Sequence, residues 1–500
     1  MNVPAFIWLI WLPLVASPLV YLAGRLCRYW PLCRPSMARW LALAALATTW
    51  FPFVQALRQL NLHGPTRFSL GTVALQLDGV SLLLAAVVLV LTTLVALYSA
   101  AAMAGEVGES KYYAMLLALA GVMMGLGCAT DLFNLWLWFE ATAVTSYLLV
   151  AFYREQPASL EAGVKYLVQS ATGSVLVLLG VALVLAHTGT LEIAQIRITT
   201  IPSPLLLAAA ALFIVGFGVK IALVPLHTWL PDAHAQAPSG ISALLSGVVI
   251  EAGLVALLRV LPALAGLTVT WAELLMAFGA LNMVAGNLLA LRQTQVKRLL
   301  AFSSVSHVGY MLLGLGIAIY AGEAAGAQGS FFHLVSHGLM KGLAFLAAGA
   351  LLYGLHASTD HHSSLTIADL AGAAQRYPIV ALAFSLALLG LGGLPPLVGF
   401  MSKWQILAAG FITYNLAIYG LVAFAALNSV FSLAYYAPLV SAVYRQAPSA
   451  AVQVGRPIPA LMHVPLVLLA LAVVAIGVWP GLVSWLTQPA GTALLDAFGL

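Results

Sequence analysis

Charge is what this sequence has least of. Only 7% of its 500 residues are Asp, Glu, Lys or Arg, where a soluble domain carries about 25%. No polar stretch is long enough to fold a soluble domain. Cysteine is nearly absent too. Cys27, Cys33 and Cys128 show neither metal-ligand spacing nor a disulfide framework. There is no GxGxxG after a strand, no P-loop, no CxxC and no nucleophile elbow, so no motif serves nucleotide binding, dithiol redox chemistry or acyl transfer. What fills the chain is apolar: 63% of residues are hydrophobic and mean hydropathy is +1.03. Such a chain is a polytopic membrane protein. Its net charge of +5 bears on orientation in a bilayer, and a nucleic-acid partner has no support.

At about 20 apolar residues per span, the sequence predicts about fourteen transmembrane helices. The first stretch, from about Phe6 to Leu22, lacks a basic leader and is followed by arginines, so it reads as a span with an external N-terminus. Spans near 5–23 and 38–57 precede a polar, strand-like connector from Asn61 to Asp78. Further spans fall near 79–103, 112–130, 131–153, 163–187, 204–230, 236–261, 267–292, 295–319, 329–356, 377–411, 413–443 and 461–486. Loops after odd-numbered spans hold thirteen basic residues: Arg25, Arg28, Arg34, Arg39, Lys111, Arg154, Lys165, Arg292, Lys297, Arg298, Arg376, Arg445 and Arg456. The other side holds only Arg58, Arg67, Arg197 and Arg259. The positive-inside rule then makes the odd loops cytoplasmic and puts both termini outside.

The chain is organised around residues 216–259. Lys220 sits inside an apolar run there, Pro225 follows five residues later, and then come His227, Asp232, His234 and, on the next span, Glu251. A lysine in hydrocarbon costs roughly 3 kcal/mol or more, so it asks for a function. A proline breaks the helix beside it, and broken helices at membrane depth line protein or wet cavities. A second break stands in Gly390-Leu-Gly-Gly-Leu-Pro-Pro-Leu-Val-Gly-Phe-Met-Ser-Lys403, with Pro395 and Pro396 at mid-span. It lies five spans after the first. Matching interruptions point to an internal, inverted repeat, against the plainer reading of two unrelated kinks. The expected fold is therefore an all-α polytopic membrane protein with two inverted five-helix repeats, each containing a broken helix. The divisions are 1–111 (first three spans), 112–261 (first repeat), 262–444 (second repeat) and 445–500 (one last span).

Glu140 closes the run from Asp131 and lies deep in its span. A buried acid and a buried base such as Lys220 can pair, each holding the other charged, and opening the pair frees the lysine to lose its proton. The pair could instead only staple two helices, although buried ion pairs stabilise poorly. His333, His337 and Lys341 are spaced to share one helix face. Ser303, Ser304, Ser306 and His307 give the preceding helix a polar stripe. Together they suit a proton relay. Haem ligation is the rival use of such histidines, but it needs pairs from facing helices, and only His307 faces the other two. His356, His361 and His362 share a polar loop with Asp360, where adventitious metal binding competes with simple solvation.

These stretches resemble the antiporter-like membrane subunits of respiratory complex I and its relatives. The resemblance runs from about Leu77 to Tyr444. It is carried by Trp138-Phe-Glu140, VPLHTWLPDAHAQAPSGISALLSG from Val224, KRLLAFSSVSHVGYM from Lys297, HLVSHGLMKGLAFL from His333 and GLPPLVGFMSK ending at Lys403. That family includes the proton-translocating subunits of NADH:quinone oxidoreductase, two subunits of the Mrp sodium/proton antiporter and equivalents in energy-converting hydrogenases. The resemblance implies that Glu140 and Lys220 form the charged pair of a first half-channel. It makes His333, His337 and Lys341 a central hydrated axis, and Lys403 the terminal lysine of the second half-channel. Several relatives place a lysine where this chain has Glu251. The chain also resembles the shorter family members, since one further span replaces a long lateral helix.

The expected function is translocation of protons, or of sodium, through Glu140, Lys220, Glu251, His307, His333, His337, Lys341 and Lys403. The alternatives are a subunit of an Mrp-type antiporter or of an energy-converting hydrogenase and, from another class, a non-conducting structural spacer. No cofactor is expected in this chain, while FMN, iron–sulfur clusters or a NiFe centre would sit in partner subunits. Expected partners are homologous antiporter-like subunits, other membrane subunits and lipids. The expected location is a bacterial or archaeal inner membrane.

Overall fold

The computed structural model describes residues 3–27, 37–71, 73–199, 201–355 and 364–500. Arg28, Cys33, Arg34, His356, Asp360, His361 and His362 lie outside the described residues. A bilayer offers the backbone no water, so an apolar run must satisfy its own N–H and C=O groups, and helices do this within one segment. The chain accordingly folds as helices α1 (Ala5–Leu26), α2 (Met37–His63), α3 (Gly79–Ala102), α4 (Glu109–Cys128), α5 (Leu132–Val150) and α6 (Pro157–Thr188). The break around Pro225 separates α7 (Pro204–Ile221) from the short α8 (Trp229–Gln236). Then follow α9 (Ser239–Leu264), α10 (Trp271–Ala290), α11 (Val296–Ala321) and α12 (Ala324–Leu355). The second break separates α13 (Pro378–Gly392) from α14 (Val398–Phe411), before α15 (Leu416–Val443), α16 (Ala460–Val478) and α17 (Ser484–Phe498).

Among the described residues, 12 helices are long and apolar enough to cross a membrane. The chain is an integral multi-pass membrane protein. The expected span at 377–411 is cut into helices of 15 and 14 residues. The expected last span at 461–486 instead stops at Val478. Trp479 and Pro480 end it, because proline cannot continue a helix, and α17 adds a separate C-terminal helix that packs on α3 and α12. The connector after α2 is a two-stranded antiparallel hairpin, β1 (Thr66–Leu70) and β2 (Val73–Leu77), in register Thr66↔Leu77. Asp78 then caps α3 by accepting from Ser81 N, which satisfies an orphan donor of the first turn.

Helix α12 is the centre of the molecule. It packs against α3, α9, α11, α13, α14, α16 and α17, and nearly every side chain on it is buried. Peripheral helices do the reverse. Val175 on α6 and Leu427 on α15 are more than half exposed, which suits lipid as the outer solvent. Within α9, residues Leu245–Val249 form a π-helical turn. Single π turns inside α-helices are frequent at functional sites.

Candidate functional site

Each break is held by polar side chains in place of lost backbone bonds. At the first, α7 ends and Ala222 turns into the left-handed region at φ 59°. Leu223 N donates to Gly218 O at 2.9 Å. Asn282 on α10 takes the Val224 N–H at 2.9 Å and gives its own amide to Ala222 O at 3.3 Å. The Trp229 indole N–H caps Val219 O at 2.7 Å. At the second break, Gly393 takes the left-handed turn, and Lys403 itself donates to Leu391 O at 2.9 Å. The Val224–Pro225 and Pro395–Pro396 peptides are both cis.

Lys220 is only 2% exposed. Its ammonium donates to Tyr166 OH at 2.7 Å and Ser146 Oγ at 3.1 Å. It forms no direct ion pair with Glu140. Two neutral hydroxyls solvate the ammonium directly, while Glu140 acts on it at longer range and lies half-buried with Oε2 lacking any hydrogen-bond partner. Gly253 on α9 makes room for the lysine stem, since a Cβ there would come within 2.9 Å of Lys220 Cγ.

Two residues before Gly253, Glu251 turns to the centre. Glu251 Oε1 and His337 Nδ1 share a 2.7 Å hydrogen bond with both side chains at 0% exposure. Glu251 Oε2 and His337 Nε2 have no partner within the chain. The His337 ring lies 5.2 Å from that of His307, centroid to centroid. His307 Nδ1 and His333 Nε2 share a hydrogen bond at 3.0 Å, and His333 Nδ1 meets Ser402 Oγ at 2.9 Å. Ser402 is the neighbour of Lys403, whose ammonium also donates to Ser429 Oγ at 2.8 Å and lies 4.8 Å from the Tyr310 ring centroid. On the other flank, Lys341 donates to Leu300 O at 2.7 Å and to Ser303 Oγ. Ser303 bonds Tyr436 OH, which lies 3.4 Å from His307 Nε2. An unbroken hydrogen-bonded run thus joins Lys341, Ser303, Tyr436, His307, His333 and Ser402. The direct bond between His307 and His333 leaves no gap for a haem between those rings.

Asp232 organises the rim. It pairs with Lys165 of α6 at 3.0 Å and with Arg298 of α11. Burial alone would raise its carboxyl, but the hydrogen bonds from Lys165 and Arg298 outweigh that and hold it below the usual carboxylate range. Among the described residues no cluster of three or more His, Cys, Asp or Glu could hold a metal ion.

A family model described as "NADH:quinone oxidoreductase/Mrp antiporter, TM" matches residues 129–432, the region that holds both breaks and every buried lysine. The chain belongs to that family. It is 34% identical over 387 residues to NADH-quinone oxidoreductase subunit N 1 of Sorangium cellulosum, covering 74% of each chain. It is 32% identical to NADH-quinone oxidoreductase subunit N of Chloroflexus aggregans, covering 91% of each. The structure superposes with a TM-score of 0.87, at 28% identity and 99% coverage of both chains, on a chain of the membrane-bound sulfane sulfur reductase, an archaeal respiratory membrane complex. Its homologues are thus antiporter-like subunits of redox-driven membrane complexes.

Within this family fold, sequence reading missed Ser146, Tyr166, Trp229, Ser402, Ser429 and Tyr436. A usable signal existed for the tyrosines. A buried phenol inside an apolar span needs a hydrogen-bond partner, and each of these two finds one at a lysine or histidine.

Proposed function

We propose that this chain conducts protons across the membrane as a subunit of a redox-driven complex of the complex I type. The observation that carries the reading is the hydrogen-bonded run from Lys341 through Ser303, Tyr436, His307 and His333 to Ser402. Imidazole has one nitrogen that accepts while the other donates, so His307 and His333 can pass a proton by exchanging tautomers. Serine and tyrosine hydroxyls donate and accept at once, which lets them bridge such groups. Lys220 and Lys403 stand at the two breaks as the titratable ends, and Glu251–His337 lies between the first of them and the histidine core.

In this reading the units are 1–111, 112–261, 262–444 and 445–500. The middle two form inverted half-channels, and both termini face outside. Flavin, iron–sulfur clusters or a NiFe centre belong to partner subunits, beside homologous antiporter-like subunits. Sealed inverted membrane vesicles test the proposal. Redox-driven quenching of a pH-sensitive dye should be lost in His333→Ala and Lys403→Ala while the complex still assembles. Full quenching in both variants would leave the chain a structural spacer. Quenching driven by sodium, with no redox substrate added, would instead mark an antiporter.

A further inference from the structure

The face of α12 that carries His333, His337 and Lys341 does not end at the lysine. At the same four-residue spacing it continues to Phe345 and Gly349. Gly349 lies against α9 and α3, where a Cβ on it would come within 2.3 Å of Ser239 Cβ and 2.7 Å of Tyr98 OH. These three residues line a cavity of about 290 Å³, with room for several water molecules. Its other walls include Glu106, Tyr153 and Arg456, from the connections after α3, α5 and α15. That is the side of the membrane where most basic residues lie. A smaller cavity of about 60 Å³ adjoins it at Ser239 and is lined by Ala235 and Lys297. Phe345 is the one apolar step on this face between the larger cavity and Lys341, and His234 of α8 lies flat on it. The two rings are 4.6 Å apart between centroids and 12° apart between planes. His234 is 0% exposed, and neither Nδ1 nor Nε2 has a hydrogen-bond partner among the described residues. A ring needed only to fill space would be apolar, because burying unsatisfied nitrogens costs free energy. The charged groups whose field reaches the imidazole are Lys341 on α12 and Lys297 on α11. Lys297 itself donates to Ala237 O at 2.8 Å, three residues after His234.

We infer that His234 carries protons from this cavity past Phe345 to Lys341, and so feeds the hydrogen-bonded run from the side of the basic loops. The inference rests on the proton conduction proposed above. One nitrogen of a neutral imidazole accepts while the other donates. A proton arriving from the cavity binds the bare nitrogen, and the proton on the other nitrogen leaves toward Lys341 once that lysine has passed its own to Ser303. Rotation about the Cβ–Cγ bond restores the first tautomer and keeps the ring on Phe345.

The test follows redox-driven dye quenching in sealed inverted vesicles that hold the assembled complex. Replacing His234 by 4-thiazolylalanine keeps the ring shape and the contact with Phe345 but leaves no N–H. Transport should fall about a hundredfold, the scale of a lost proton-transfer group. The 1,2,4-triazol-3-ylalanine analogue has an N–H beside bare nitrogens and should keep most of the parent rate. Normal transport with the thiazole, or equal loss with both rings, would overturn the inference and leave His234 a packing residue. A second measurement closes the cavity and leaves His234 intact. Ser239→Cys, treated with an impermeant methanethiosulfonate reagent from outside the vesicles, should be labelled and lose most of the transport it had before labelling. The parent complex, treated likewise, sets the baseline. A cysteine that stays unlabelled, or labelling without loss, also overturns the inference. His333→Ala separates the two levels. If it transports normally, the underlying reading fails. If it is inactive while the thiazole variant transports normally, only this inference fails.

Discussion

Glu251 and His337, 86 residues apart in the chain, meet through a 2.7 Å hydrogen bond in a site closed to solvent. Removing one partner of a buried hydrogen bond leaves the other group unsatisfied, which commonly costs about 1–3 kcal/mol. The contact gives Glu251 a specific place in the structure, against the central helix α12.

Glu251→Gln keeps the size of the side chain and an oxygen acceptor for His337, but cannot bind and release a proton. The complex should assemble, and transport should fall about a hundredfold, the scale of a lost acid–base group. Glu251→Asp should keep partial activity. Wild-type transport by the glutamine variant, measured with a pH-sensitive dye, would assign the acid to packing.

Lys220→Arg tests whether this cation must deprotonate. Arginine stays charged at every accessible pH, so transport should be as low as in Lys220→Ala. A fully active arginine variant would mean that only a fixed charge is needed beside Tyr166 and Ser146.

Tyr436→Phe cuts the hydroxyl that joins Ser303 to His307 and leaves the ring in place. Transport should fall several-fold with normal assembly, while Tyr435→Phe, whose hydroxyl donates to Asn287 at 2.8 Å, should have a smaller effect. Equal losses in the two variants would remove Tyr436 from the relay.

Asp232→Asn should lower the midpoint of thermal denaturation of the purified complex at neutral pH. The native carboxyl is held below its ordinary value of 3.8, so its stabilising effect is present above that value and is lost as pH falls through the lower, native one. The difference between variant and parent should thus vanish only in strong acid. A difference that disappears near neutral pH would contradict the ion network with Lys165 and Arg298.

Orientation can be checked at Cys27, the C-cap residue of α1. With odd loops cytoplasmic, an impermeant thiol reagent added outside intact cells should leave it unlabelled. Ready labelling would invert the topology.

Much of this was legible before any coordinates. Long apolar runs can only be helices in a bilayer, and Pro225, Pro395 and Pro396 mark breaks because proline has no N–H to give. Lys220, His333 and Lys403 stand out because burial of each is costly. Partner choice was not legible. Local spacing says that His333, His337 and Lys341 share a face, but not that Glu251 comes to that face from another helix. Nor does it say that the hydroxyls of Tyr166 and Ser146 receive the Lys220 ammonium. Such choices depend on how helices cross, and small residues such as Gly253 set that approach. The α16 boundary was missed for a simpler reason: Val478 and Leu482 are both apolar, and hydropathy passes smoothly over the Trp479–Pro480 stop.

The π-helical turn at Leu245–Val249 amounts to one spare residue wound into α9. Everything after it is rotated relative to a regular helix by about 100°. Ser246 within the turn reaches Ser304 at 2.6 Å, and Glu251 one turn later reaches His337. Deleting a single residue here, Val248 for instance, would let the helix close into an ordinary spiral with its backbone bonds intact. The acid would then swing off the histidine and onto a different neighbour. A gap of one position in this stretch, in any aligned sequence, therefore foretells a chain whose acid no longer faces the centre, however well the residues on either side agree.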